Sequence, residues 1–91
     1  MTPSDARIAA VVFELLDRRA AGATICPSDA ARALAADEGA WRALMPEVRR
    51  VAAALARAGS LRVTAQGEDV DALRAHGPIR LGRPLNRDRS A

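Results

Sequence analysis

Lysine and tyrosine are missing from this sequence, and cysteine, histidine, phenylalanine and tryptophan occur once each. Each scarcity removes a class of function. A lone cysteine forms no internal disulfide, and one cysteine with one histidine cannot complete a zinc site, so no metal is expected and a reducing, cytoplasmic setting fits. Phe13 and Trp41 are too few to build a stacking platform for single-stranded nucleic acid. No apolar run approaches the roughly 18 residues of a membrane span, and the N-terminus has no basic segment leading into an apolar core, so neither a span nor a signal peptide is expected. Glycine-rich phosphate loops, a serine elbow and paired catalytic carboxylates do not occur. Cys26, beside Pro27, reads as a capping residue in place of a nucleophile, and His76 as a turn residue before Gly77 and Pro78. The expectation is therefore a non-enzyme without a cofactor.

What the chain has instead is alanine and arginine. Among 91 residues there are 22 alanines and 14 arginines, the latter against 11 acids for a net charge of +3. So many alanines predict a thin core made by close helix approach, in a single domain of modest buried surface. The lack of lysine reads first as coding bias and second as guanidinium chemistry. A modest basic balance suits a polyanion but is also ordinary for a soluble protein.

Along the chain, Thr2-Pro3-Ser4-Asp5 places a hydroxyl at a helix N-cap, proline at the first helical position and a carboxylate two residues on. Ile8, Val11, Val12 and Leu15 then recur at helical spacing to about Ala20, and Gly22 ends the pattern. Phe13 lies off that stripe, where it packs under a neighbouring element or joins two copies in a homodimer. Ala23 to Ile25 is a short edge strand. Cys26-Pro27-Ser28-Asp29 repeats the same start for a second helix, Pro27 to about Ala36, with Asp37-Glu38-Gly39 as the turn that follows. Ser60 to Thr64 alternates as a strand, Gln66-Gly67 is a turn, residues 68–77 read equally as strand or loop, and Pro78 to Leu81 alternates again. Residues 1–82 make the domain, and 83–91 a flexible basic tail.

The longest helix organises the rest. From Trp41 to Ala58, Trp41, Leu44, Met45, Val48, Val51, Ala52 and Leu55 fall within about 60° of one line on a helical wheel. Arg42, Arg49, Arg50 and Arg57 share the opposite arc over a floor of Ala43, Pro46, Ala53 and Ala54. Pro46 either kinks this helix or starts a shorter one; the unbroken phase of the apolar line favours continuity. Gly59 is the stop signal. Helix, short strand, two helices and a hairpin together predict an α+β, mostly helical fold of the winged helix-turn-helix type, with three helices and a small antiparallel hairpin or three-stranded sheet. In that arrangement the arginine face enters the major groove of duplex DNA, and Arg62 and Arg80 on the outer face of the hairpin reach the backbone or the minor groove. Arg42, Arg49, Arg50, Arg57, Arg62 and Arg80 are thus the candidate DNA-binding residues. Glu47, Asp69 and Asp71 stand near enough to neutralise some of them, and no Asn, Gln or Ser on the helix offers base readout. The competing reading is a solvated arginine face, or a protein-interaction module with no nucleic-acid ligand.

The runs T-I-C-P-S-D-A-A-R-A-L, W-R-A-L-M-P-E-V-R-R-V-A-A-A-L-A-R-A-G and H-G-P-I-R-L, taken together, resemble an uncharacterised bacterial family of small winged-helix-like proteins, domain of unknown function thirty-two fifty-three. The resemblance extends from about Ile8 to Leu81. It implies the fold and no activity. Some members carry a short cysteine-rich segment that this chain lacks.

Overall fold

The string P-S-D-A begins two helices in two different ways. In the computed structural model, which describes residues 2–84, helix α1 spans Asp5–Asp17, with Ser4 as its N-cap. The Ser4 hydroxyl accepts from the Arg7 backbone N–H at 3.1 Å. Pro3 therefore precedes the cap and is not the first helical residue, as the Thr2 start had suggested. Helix α2, Pro27–Leu34, does place proline in its first turn, after Cys26 at the N-cap. There Asp29 reaches back to accept from the Cys26 N–H at 2.9 Å. The difference follows from what comes before. Strand β1, Thr24–Ile25, delivers Cys26 already extended (φ −85°, ψ 150°), so the helix must start at once. In α1 the cap oxygen used is that of Ser4, two residues beyond Thr2.

Helix α3 runs unbroken through Pro46, from Glu38 to Arg57. It starts three residues earlier than the apolar pattern suggested, because Asp37 caps it through the Ala40 N–H at 3.0 Å; Asp37-Glu38-Gly39 is thus a helix start, not a free turn. Its end is the expected one. Gly59 (φ +82°) donates to the Ala56 carbonyl and Ser60 to that of Leu55, at 3.0 and 2.9 Å. This pair of bonds satisfies two terminal carbonyls and needs a left-handed residue, which glycine adopts without steric cost.

Strands β2 (Arg62–Ala65) and β3 (Glu68–Asp69) form a hairpin closed by Gln66 and Gly67, both at positive φ, the two-residue turn that matches strand twist. Strand β4, Arg80–Gly82, lies between β2 and β1, giving a four-stranded antiparallel sheet of order β1-β4-β2-β3. This is one strand more than the three-stranded alternative, since residues 68–77 divide into a two-residue strand and a loop. Ile25 pairs with Leu81 and Leu81 with Val63, so one sheet face is apolar and packs on the helices. Ile8, Val12, Val48 and Ala52 complete the centre, all fully buried. Ala30 and Ala31 bring α2 close against α3, as the alanine-rich composition predicts. Three helices backed by a small antiparallel sheet give an α+β, winged-helix-like layout.

Phe13 is half-buried against this core, with the Arg83 guanidinium 4.7 Å from its ring centroid. Arg83 also pairs with Asp17 of α1. The first residue of the proposed tail is thus held against the domain; residues 85–91 of that tail lie outside the described residues.

Candidate nucleic-acid interface

The apolar side of α3 faces inward as its spacing requires. Leu44, Val48, Val51 and Ala52 are buried, and Trp41, Met45 and Leu55 are half-buried against the core. The opposite side is less uniform. Arg42, Ala43, Pro46, Arg50, Ala54 and Arg57 are exposed, whereas Ala53, taken as part of the alanine floor, is only 4 % exposed. The loop after β3 covers it: Ala53 shares a shallow groove with Val70, Asp71 and Ala72.

The same loop claims Arg49. Its Nη1 donates to the carbonyls of Ala72 and Ala75, at 3.3 and 3.2 Å, and its Nη2 to that of Gly77 at 2.8 Å. Arg49 is a clamp on residues 72–77, and its guanidinium is spent on backbone. Arg80 is similarly occupied. It stands opposite Cys26 on the outer sheet face and donates to Thr24 Oγ1 (2.9 Å), the Thr24 carbonyl (3.0 Å) and Cys26 Sγ (2.7 Å). It ties β4 to β1 and to the start of α2.

Arg50 is held by two acids. Nη2 contacts Asp5 Oδ1 at 2.6 Å and Glu47 Oε1 at 2.8 Å, and Nη1 contacts Asp5 Oδ2 at 3.0 Å. The hydrogen bond from Arg50 depresses the Asp5 carboxyl below its ordinary value, partial desolvation works against this, and the charge of Arg50 adds to the lowering. The Arg50 guanidinium moves the other way, raised by its hydrogen bonds to Asp5 and then Glu47. Arg62 pairs with Asp69 across the hairpin at 2.8 Å. Arg42 pairs with Glu38 at 2.8 Å with both side chains largely in solvent. Arg57 has no hydrogen bond or ion pair to another side chain among the described residues.

The six candidates therefore divide by what holds them. Arg49 and Arg80 are structural, Arg50 is neutralised on site, and Arg42, Arg57 and Arg62 remain able to exchange partners. An exposed i,i+4 pair such as Arg42–Glu38 contributes about 0.3–0.5 kcal/mol, little enough for a phosphate to replace it. Pattern reading passed over another set. Arg18 and Arg19 follow α1, Arg32 lies on α2, and all three line one cleft with Leu15, Ile25, Asp29 and Ala33. The doublet before Gly22 was its only sequence signal. Arg32 also lies over Trp41, 4.6 Å from the ring centroid, with Arg42 at 4.9 Å.

Among the described residues no cluster of three or more His, Cys, Asp or Glu is arranged to hold a metal, and no helix is long and apolar enough to cross a membrane. A family model described as a protein of unknown function (DUF3253) matches residues 5–84. Comparison with curated proteins finds no match.

Proposed function

The chain belongs to that family of unknown function, and we propose that it is a winged-helix-like domain that binds duplex DNA through the exposed strip of α3, gripping the backbone without reading sequence. One observation carries this reading: the strip has exposed arginines at its two ends, Arg42 and Arg57, and between them the small residues Ala43, Pro46 and Ala54 flank the neutralised Arg50. Fifteen helical residues separate those ends by roughly 22 Å. The major groove is about 12 Å wide, so a helix lying in it with a cation near each end reaches a phosphate strand on either side. Small side chains between the ends permit close approach. Arg62 on the hairpin offers a third exchangeable contact. Asp5 and Glu47 beside Arg50 keep the centre of the strip near neutral, which limits affinity and leaves little basis for base-specific contact.

Fluorescence anisotropy with a random-sequence duplex across a salt series tests the reading. Three phosphate contacts predict a slope of log affinity against log salt of about −2.7. The R42A/R57A variant removes only exposed side chains, stays folded, and should reduce the slope to about −0.9. An unchanged slope in that variant overturns the assigned strip. Chemistry on a bound substrate forms no part of the proposal.

A protein-interaction module is the second reading. Its specific support is Leu73, 55 % exposed, which shares a groove with Met45, Pro46, Ala72 and Ala75. Absence of any duplex binding at low salt, with a partner complex abolished by L73D, would replace the first reading with this one.

A further inference from the structure

Most of the unpaired cations among the described residues lie away from α3. Among the described residues, the side chains of Arg7, Arg18, Arg19, Arg32 and Arg57 make no hydrogen bond or ion pair with another described residue, whereas the other described arginines are engaged by carboxylates, carbonyls, the Thr24 hydroxyl or Cys26. Three of these five line a single cleft of about 530 Å³ between the end of α1 and α2. Its one acid, Asp29, turns a carboxylate oxygen to the Cys26 N–H. Leu15 and Ala33 supply an apolar lining over the buried Ile25. Arg32 lays its guanidinium on Trp41. Stacking uses the face of that group and leaves the in-plane N–H donors free, while restricting the rotamers that binding would otherwise have to freeze.

We propose that this cleft is a binding site for a small organic phosphate monoester, separate from the strip on α3. The charges match: three guanidinium groups against one carboxylate suit a dianion better than the single charge of a phosphodiester. Planar guanidinium forks bind phosphate oxygens in pairs, and three of them match the three terminal oxygens of a phosphate monoester. The apolar lining has no use for a bare ion or a DNA backbone but accommodates the organic body of an ester. The cleft is shallow and open, so a phosphorylated ring seated there stays partly in solvent, which fits weak binding. The C-terminal end of α1, whose dipole is negative, opposes the anion and keeps binding weak enough to be reversible.

The test is an NMR titration of the full chain, following the arginine Nε–H signals, with phenyl phosphate and, separately, with inorganic phosphate. Expected are saturable shifts of Arg18, Arg19 and Arg32 in the millimolar range, with phenyl phosphate several-fold tighter than inorganic phosphate. R18A/R19A should weaken phenyl phosphate by about tenfold or more, as paired charge-assisted bonds are lost. R32K, which keeps the charge but loses the fork and the planar stacking, should weaken it several-fold, and R57A should leave it unchanged. Linear, unsaturated shifts spread over all arginines, equal binding of the two anions, or full binding by R18A/R19A would each overturn the site. Because R18A/R19A leaves the α3 strip intact, its salt slope on duplex DNA stays near the wild-type value, so failure of either proposal is distinguishable from failure of the other.

Discussion

Arg49 and Gly77, 28 residues apart, are joined by a 2.8 Å hydrogen bond from guanidinium to carbonyl, which closes the loop after β3 onto the side of α3. With the carbonyls of Ala72 and Ala75 also engaged, a residue with the look of a nucleic-acid contact is the main polar fixture of its neighbourhood. Hydrogen bonds to a charged group contribute about 1.5–3 kcal/mol where they are shielded; the bonds to Ala72 and Ala75 are partly buried, that to Gly77 is exposed. R49A should therefore lower unfolding stability by about 2–3 kcal/mol and accelerate amide exchange through residues 72–77, and lysine should recover little of it. A loss below about 0.5 kcal/mol, the range of ordinary surface substitutions, would show that the loop holds without the clamp.

Release of Arg50 should strengthen DNA binding. D5N and E47Q keep the size of the side chains while removing the charges that hold this guanidinium. The double variant should bind random duplex more tightly than the wild-type chain and add up to about one unit to the magnitude of the salt slope, as expected for one more phosphate. Unchanged affinity would place Arg50 outside the interface.

Acid should weaken the Asp5–Arg50 tie. A carboxyl whose folded value lies below its unfolded one contributes stability that is complete above the unfolded value, 3.8, and is lost as pH falls toward and through the folded one. Denaturant midpoints measured from pH 6 down to pH 2 should fall less steeply for D5N than for the wild-type chain below about pH 4. Parallel curves would mean that solvent screens the pair completely.

Cys26 should tolerate serine better than alanine. A hydroxyl is the better N-cap acceptor for α2 and can still accept from Arg80, so C26S should match the wild type or gain up to about 1 kcal/mol. C26A removes the acceptor from a part-buried guanidinium and should cost about 1–2 kcal/mol by chemical denaturation. Equal stability of the two variants would mean that the Arg80 contact contributes nothing.

Pro46 sits exposed inside α3 without a backbone donor. P46A restores a helical hydrogen bond on a solvent-facing turn and should stabilise the domain, by at most about 3 kcal/mol and by less where the helix has already adapted. A destabilised P46A would show that the ring packs against Leu73 and its neighbours more than it strains the helix.

The sequence by itself determined whatever depends on near neighbours. The stripe from Trp41 to Leu55 faces inward because helical geometry aligns residues three and four apart. Gly59 ends α3, and Gln66-Gly67 closes the hairpin, because those backbone angles are set locally. Helix starts are not set by the local string alone: the identical tetrapeptides at 3–6 and 27–30 begin their helices from Ser4 and from Cys26, and strand β1 leads directly into the second. Only the tertiary structure decided which arginines remain free to bind. Arg49 is taken by carbonyls 23 to 28 residues away, Arg50 by an acid at a distance of 45, and Arg80 by partners 54 and 56 residues distant. Helical spacing accounts for Glu38 with Arg42 and Glu47 with Arg50, but a guanidinium carries five donors on a long flexible stem, and no spacing in the chain encodes the distant acceptors that the fold brings within its reach.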